Sequence, residues 1–462
     1  MYVYTAFDRH FVHQRAAQYR DQLERHLKGQ LGTDEFRPLR LQNGWYVQRH
    51  APMLRVAIPY GELSSRQLRQ LARIAREYDV VSEGPFKGQG GYGHFTTRQN
   101  LQYNWIPLDR SAEVMELLAA VDMHGIQTSG NCIRNITSDA FAGIATDEIE
   151  DPRAYCEILR QWSTLQPEFA AILQDDQGGH EHLIPEAELA RVKACFVDPS
   201  DVKPVAALDI HALSADTAFQ RWLERNVHAH RVSGFRAVTL SLKRVGIAPG
   251  DTNADVMDAA AALADRFSQG ELRVSHRQNL ILPWVLEADL LKLFEAARAA
   301  GFATPNAGRL TDQIACPGGD FCALANARSL PLAAAIAERY QDLDELADLG
   351  DIDLHISGCI NSCGHHHSGH IGVLGVDKDG TEWYQLTLGG SDGSTLSGPA
   401  TPGKVIGPSF AADEIADAVE AVLETYKGQR TGSERFIETV KRIGLDPFKS
   451  AANAVRVATA RA

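Results

Sequence analysis

Two short stretches hold four of the chain's seven cysteines: "CPGGDFC" (Cys316–Cys322) and "CINSCGHHHSGH", which begins at Cys359. The pattern is C-x5-C followed by C-x3-C. Pro317, Gly318 and Gly319 permit a tight, irregular loop, so Cys316 and Cys322 can converge on one centre. Cys359 and Cys363 stand one helical turn apart or share a compact loop, and either arrangement brings their sulfurs together. Four thiolates suit zinc or an iron–sulfur cluster. Structural zinc prefers tight C-x2-C knuckles in small modules, whereas this looser spacing inside a long chain fits a cubane better. Four buried, unliganded cysteines are the remaining reading, and the pairing argues against it. Cys132, Cys156 and Cys195 are scattered, and core packing is expected of them. His365, His366, His367 and His370 follow the last pair. Neighbouring side chains point different ways, so these histidines read as polar groups around the thiols, proton relays or loop residues. Gly358, Gly364, Gly369 and Gly372 imply backbone pressed close to something bulky.

The elements that must position these groups show an internal repeat. "FTTRQNLQYNWI" (Phe95–Ile106) resembles "RVSHRQNLILPWV" (Arg273–Val285). Both contain Arg-Gln-Asn-Leu, and both place Trp seven residues after the Arg: Arg98 to Trp105, and Arg277 to Trp284. Upstream of the first copy, Met53–Tyr60 reads as a strand and Ser64–Tyr78 as a helix. Ser64 is its N-cap, and Leu68, Leu71, Ala72 and Ala75 lie on one face. Upstream of the second copy, Phe235–Leu242 reads as a strand and Ala254–Phe267 as a helix. Each RQNL segment reads as a strand, followed by a helix near Ala112–Ala120 or Ala288–Ala300. The order strand–helix–strand–helix thus occurs twice, with the motifs 179 residues apart. A period that long implies a duplicated α+β unit with a pseudo-twofold axis, not a solenoid. Such a pair leaves a cleft, a common place for a cofactor. The first half runs on into "TSGNCIRNITSDAF", which is polar and cationic. The second runs into "GRLTDQIACPGGDFC", which supplies thiols.

At 462 residues the chain is long enough for more than one domain. Its 44% apolar and 23% charged residues are ordinary for a globular protein. The net charge of −13 argues against a general nucleic-acid binder. The N-terminal stretch is charged throughout and has no apolar h-region, so no signal peptide is expected. No stretch reads as a transmembrane helix. Sparse cysteines without an export signal point to a reducing, cytoplasmic setting, where clustered thiols hold metals or do redox work.

The four-cysteine pattern, the paired RQNL segments and "TSGNCIRN" together resemble the sirohaem-dependent nitrite and sulfite reductases. The resemblance is closest to the haemoprotein (beta) subunit of bacterial assimilatory sulfite reductase. It runs from "DEFRPLRLQNGWYVQ" to "FIETVKRIGLDPFK". It implies an α+β fold: duplicated ferredoxin-like α/β units in a pseudo-twofold pair, plus a cluster-binding α/β region. The expected segments are an N-terminal arm (1–52), a first half (53–150), a shortened helical connector (151–230), a second half (231–312), a cluster and sirohaem region (313–410) and a helical tail (411–462). The resemblance makes Cys316, Cys322, Cys359 and Cys363 ligands of a [4Fe–4S] cluster, with Cys363 bridging to the sirohaem iron. It places Arg98 and Arg134 at the face where the substrate anion binds, and Thr97, Gln99, Asn131, Asn135 and Asn361 near the cofactor. The implied reaction is six-electron reduction of sulfite to sulfide, on the route from sulfate to cysteine. Guanidinium groups suit such an oxyanion through forked, charge-assisted hydrogen bonds. The expected electron donor is a separate protein, a ferredoxin or an NADPH-dependent flavoprotein, because no dinucleotide fingerprint is present. No nucleic-acid or membrane partner is expected.

One departure from the family pattern stands out. Members carry a Leu-Pro-Arg-Lys-Phe-Lys kind of stretch after a segment like Ile158–Phe169, and its two lysines hold anion and cofactor. Here Phe169 leads into "AAILQDDQGGHEHLIP", without the Lys-x-Lys pair. Lys193 and Lys203 are the nearest lysines that follow. "DVVSEGPFKGQGGYGHF" (Asp79–Phe95) is also longer than the usual link. The alternatives are nitrite reduction by the same cofactors, a cluster-only relative resembling the corrin-ring monooxygenase of cobalamin synthesis, and a defective short variant. An amphipathic helix is expected after Gly407, packing on the core.

Overall fold

The computed structural model describes residues 1–129, 133–165, 184–199, 202–394 and 398–459. They form two compact units. The first comprises residues 1–223, 227–240 and 251–302; the second comprises 224–226, 241–250 and 303–462.

The first unit contains two five-stranded antiparallel sheets. One runs in the order β1 (Trp45–Val47), β2 (Pro52–Val56), β5 (Leu101–Tyr103), β4 (Tyr92–Phe95) and β8 (Asp251–Asn253). The other runs β3 (Glu62–Ser64), β9 (Glu271–Val274), β10 (Leu280–Leu286), β7 (Phe235–Leu240) and β6 (Val227–His228). The halves exchange a strand. β3 comes from the first repeat but pairs with β9, Leu63 opposite Leu272. β8 comes from the second repeat but pairs with β4, Thr252 opposite Gly93. Each exchanged strand leads directly into a helix, so the repeat helices start from the partner half's sheet.

The first unit's helices include α1 (Ala6–Leu27), α2 (Thr33–Gln42), α3 (Ser65–Glu77), α4 (Ser111–Ala119), α5 (Arg153–Leu165), α6 (Glu186–Lys193), α7 (Ala254–Phe267) and α8 (Leu290–Ala299). Ser64 caps α3 in a reciprocal capping box with Gln67. Leu68, Leu71, Ala72 and Ala75 are all buried, as their spacing predicts. Asn253 caps α7 by accepting from the Val256 N–H at 2.9 Å. α3 and α7 pack against each other, and α1 packs against α4. Arg160 is 2% exposed and bonds both Asp8 (2.8 Å) and Glu157 (2.6 Å), so its charge is fully matched.

The structure corrects the reading of RQNL as a strand interior. Phe95 pairs with Leu101 and Val274 pairs with Leu280, so each Arg-Gln-Asn lies in a hairpin loop. Gln99 and Gln278 sit at φ 55° and 56°, in the left-handed region that reverses the chain. Three successive polar residues between apolar runs are compatible with that turn.

The second unit is built on a mixed sheet ordered β11 (Ile314–Ala315), β12 (Leu354–Ser357), β13 (Ile371–Lys378), β14 (Thr381–Leu388) and β15 (Lys404–Val405), with β16 (Phe410–Ala411) also on β14. β11, β12 and β13 are parallel neighbours. β13 and β14 form a hairpin through Asp379 and Gly380, both at positive φ, as a two-residue Asp-Gly turn requires. Helices α9 (Leu330–Arg339), α10 (Leu343–Leu349) and α11 (Ile415–Gln429) contribute to the core over this sheet. α11 buries Ile415, Val419, Val422, Leu423 and Tyr426, so the C-terminal amphipathic segment is a packing element.

Candidate cluster site and anion-facing loop

Parallel pairing of β11 and β12 sets the cysteine geometry. Ala315 lies opposite Ile356, and the Cys316 N–H extends the ladder to the Ile356 carbonyl at 3.2 Å. Cys316 and Cys359 therefore leave the same end of two adjacent strands. The loop 317–322 begins with a short 3-10 turn, Gly318–Asp320. Residues 359–363 form a compact loop and not a helical turn, with Ser362 at φ 54°. The two loops meet at glycines. A Cβ on Gly358 would lie 2.7 Å from the Gly318 Cα and 2.6 Å from the Ala327 carbonyl oxygen. A Cβ on Gly364 would lie 2.0 Å from the Ile356 carbonyl oxygen. The close approach expected of Gly358 and Gly364 is thus to neighbouring backbone.

Cys359 is buried, Cys316 and Cys322 are half-buried and Cys363 is exposed. Burial pushes the Cys359 thiol up, and the nearby sulfurs of Cys316 and Cys322 add repulsion, while hydrogen bonds from Asn361 oppose both. A cationic iron core would reverse that penalty by holding the sulfurs as thiolates. The Gly358 N–H already donates to the Cys316 sulfur at 3.2 Å; the Ser329 hydroxyl lies 3.5 Å from that sulfur and donates to the Cys316 carbonyl at 2.6 Å. Ser329 precedes α9, so the helix's positive end is near this sulfur. Such donors and dipoles lower the cost of an anionic sulfur centre. Among the described residues no three His, Cys, Asp or Glu side chains gather round a single-ion site. A cubane asks for less crowding, since each cysteine bonds a different iron. The donor set fits a cluster.

The histidines brace this loop. His366 is fully buried, its Nδ1 is 3.1 Å from the Ser362 hydroxyl, and burial lowers its pKa to about 4, helped by His367, His355 and His365. The His370 Nδ1 accepts from the Asp353 N–H at 3.2 Å. The His355 Nδ1 lies 3.0 Å from the His365 carbonyl oxygen. Ser329 was not legible as a neighbour of the Cys316 sulfur. Its only sequence signal is its place before Leu330-Pro331, at a helix start.

In the first unit, Arg98 is exposed at the tip of the β4–β5 hairpin, and its Nη2 donates to the Asn135 carbonyl at 3.0 Å. Asn135 is buried and donates to Asn100 Oδ1 (2.9 Å) and the Ile58 carbonyl (3.1 Å), tying "IRN" to the hairpin. Arg134 is exposed, and among the described residues no carboxylate pairs with it. Arg98, Arg134 and Asn135 are thus brought together on one loop cluster. Asn361 is exposed beside the Cys359 sulfur. Asn131 and Cys132 lie outside the described residues, as does 166–183, where the Lys-x-Lys pair was missed. Lys193 is tied to Glu150 at 2.6 Å, and Lys203 is exposed.

Gln99 and Thr97 are both buried, and Gln99 is hydrogen-bonded within the scaffold. Gln99 is fully buried; its Nε2 donates to the Val274 carbonyl (2.8 Å) and its Oε1 accepts from the Ser138 N–H (3.1 Å). Gln278, its counterpart, donates to the Phe95 carbonyl at 3.1 Å. Each glutamine therefore crosses to the end of the other half's strand, a reciprocal pair across the pseudo-twofold. Thr97 is buried, and its carbonyl oxygen lies 2.9 Å from the Nδ1 of His276.

Comparison with known proteins follows the same division. Residues 307–458 match the model described as the nitrite and sulphite reductase 4Fe-4S domain. Residues 46–121 and 239–300 each match the nitrite/sulfite reductase ferredoxin-like half domain, so the duplication is a property of the family. The chain is 24% identical over 479 residues to "Sulfite reductase [ferredoxin] 2" of Mycolicibacterium paratuberculosis, covering 86% of this chain and 83% of that protein. It is 25% identical over 430 residues to "Ferredoxin--nitrite reductase" of Synechococcus elongatus, covering 74% and 80%. Its fold matches the solved structure of the Mycobacterium tuberculosis NirA protein with a TM-score of 0.68 at 19% identity, over 95% of this chain and 97% of that one. Together the two family models span well over half of the sequence, and the chain belongs to the nitrite and sulphite reductase family, whose cofactors are a [4Fe–4S] cluster and sirohaem.

Proposed function

We propose that this protein reduces sulfite to sulfide in the cytoplasm, in assimilation toward cysteine, with electrons delivered by a ferredoxin. The observation that carries the reading is the convergence of the two cysteine loops at one end of β11 and β12. In the proposal Cys316, Cys322, Cys359 and Cys363 would hold the cluster, and Cys363, the most exposed of them, would also serve the sirohaem. Sirohaem supplies the redox chemistry of the multi-electron step. The chain's own part is to bind and orient the anion. Arg98 is held by the Asn135 carbonyl and carries a guanidinium, a group suited to an oxyanion. Arg134 adds a second fixed charge from the same cluster. Ferredoxin as donor rests on the names of the relatives, which include ferredoxin-dependent sulfite and nitrite reductases.

Nitrite is the second reading, favoured by relatives named ferredoxin–nitrite reductase at comparable identity. Both substrates are small oxyanions reduced by six electrons, so the anion-binding chemistry is shared. The deciding experiment purifies the protein from cells that make sirohaem. It records the absorption spectrum, iron and acid-labile sulfide, then turnover with reduced dye on each substrate. Sirohaem bands with a cluster, and faster sulfide than ammonia production, are expected. A cluster without a tetrapyrrole band would point to the corrin-type relative, and zinc alone would overturn the assignment.

A further inference from the structure

The second unit contains a cavity of about 230 Å³ that no step above uses. Its lining includes the apolar side chains of Val245, Ile247, Leu343 and Leu346 together with Lys243, Arg244, Asn306 and Gln313. Lys243 is buried 3.6 Å from buried Asp312, so that charge is matched within the fold. Asn306 is committed as well, accepting from the Ser241 hydroxyl at 2.8 Å. Arg244 differs. It is half-buried, its Nε is shut from solvent without a hydrogen bond, and among the described residues no carboxylate pairs with it. Burial shifts its pKa downward. The Gln313 Oε1 is likewise buried and has no hydrogen-bond partner among the described residues, although its Nε2 donates to the Ala333 carbonyl.

A buried guanidinium donor left unmatched is costly, and an anion in the cavity would supply the missing acceptor. The planar fork of Arg244 suits a carboxylate, and the orphan carbonyl of Gln313 calls for a donor on the same ligand. The apolar side chains have nothing to offer a bare inorganic oxyanion but can take a short hydrocarbon body. The volume is below the roughly 300–1,000 Å³ of pockets for drug-sized ligands, which restricts the guest to a few heavy atoms. We propose that this cavity binds a small hydroxy- or amino-carboxylate, with Arg244 on the carboxylate and Gln313 on the neighbouring donor.

The test uses 2-hydroxyisobutyrate as the probe and the cofactor-loaded protein as the target, read by saturation-transfer NMR. Saturation of the probe methyls is expected in the wild type, weakened at least tenfold in affinity by Arg244→Gln. Filling the space with Ala337→Leu is expected to abolish it, with dye-linked turnover as the check that both variants are folded and loaded. Isobutyrate, which lacks the hydroxyl, is expected to bind more weakly than the probe. Absence of saturation in the wild type, or equal binding by Arg244→Gln, would overturn the site. Displacement by millimolar sulfate as effective as by the probe itself would replace the carboxylate with an inorganic oxyanion and overturn the assigned ligand.

Discussion

Individual side chains divide into those that present chemistry and those that only support it. Cys316 and Cys359 owe their proximity to strand pairing, whereas Cys363 owes its exposure to the loop. Cys359→Ser replaces a soft sulfur with a poor iron ligand and is expected to lower iron and acid-labile sulfide together. Cys363→Ser is expected to lose the coupling between cluster and haem, seen as a changed absorption and paramagnetic-resonance signature. The arginines call for a different readout. Arg134→Ala removes an exposed charge that no carboxylate among the described residues holds, so sulfite KM is expected to rise about tenfold or more while cofactor content stays unchanged. That factor corresponds to about 1.4 kcal/mol or more, at the lower edge of the roughly 1.5–3 kcal/mol of a hydrogen bond to a charged group. Unchanged KM would remove Arg134 from the anion site.

Elements matter through their ends. Gln99 and Gln278 both sit at the turn of a hairpin and both bond the end of the opposite half's strand. Either Gln→Ala change leaves a buried carbonyl unmatched and is expected to cost about 1–3 kcal/mol, measured by denaturant unfolding of the loaded protein. The cysteine loops have a steric counterpart. Gly364→Ala would drive a Cβ to 2.0 Å from the Ile356 carbonyl oxygen, so the loop must shift and iron content is expected to fall. Gly428→Ala is the contrast. Gly428 lies inside α11 with nothing within 4 Å of an added Cβ, so the change is expected to stabilise by about 0.5–1 kcal/mol. The repeat helices were legible from residue spacing alone. Ala254–Phe267 is observed with the same bounds, and Ser64 is the cap its type predicts. The RQNL turns were misread because an Arg-Gln-Asn run between apolar segments fits an exposed strand as well as a reversal. Only the pairing of Phe95 with Leu101 distinguishes the two.

At the scale of the first unit, buried charge sets the response to pH. Asp79 is fully buried, and burial raises its pKa to about 7 despite hydrogen bonds from the backbone of Trp105, Tyr92 and Asn104. Because the folded state binds this proton more tightly than the unfolded chain, folding gains from it at acid pH. That gain is lost as pH rises from the ordinary carboxylate range through about 7. Asp79→Asn is expected to flatten the fall of Tm across that window, and an unchanged profile would show that Asp79 is already ionised. His124 acts in the opposite sense. Burial lowers its pKa to about 3, so it opposes folding as pH drops below the ordinary imidazole value. The strand exchange between halves is also a property at this scale. β3 and β8 each complete the partner's sheet, so neither half is expected to fold without the other.

The sequence alone determined the set of clustered thiols and the duplication, because both are carried by local features: cysteine spacing, four identical residues with a matched tryptophan, and helical periodicity. Tertiary structure decided which of the matched residues are available. It buried Gln99 in the scaffold, exposed Arg98 beside the Asn135 carbonyl, and turned the last cysteine outward. Periodicity reports which face of an element is apolar, but hydrogen-bond partners far apart in the chain, such as Gln99 and Val274, exist only once the sheets are paired.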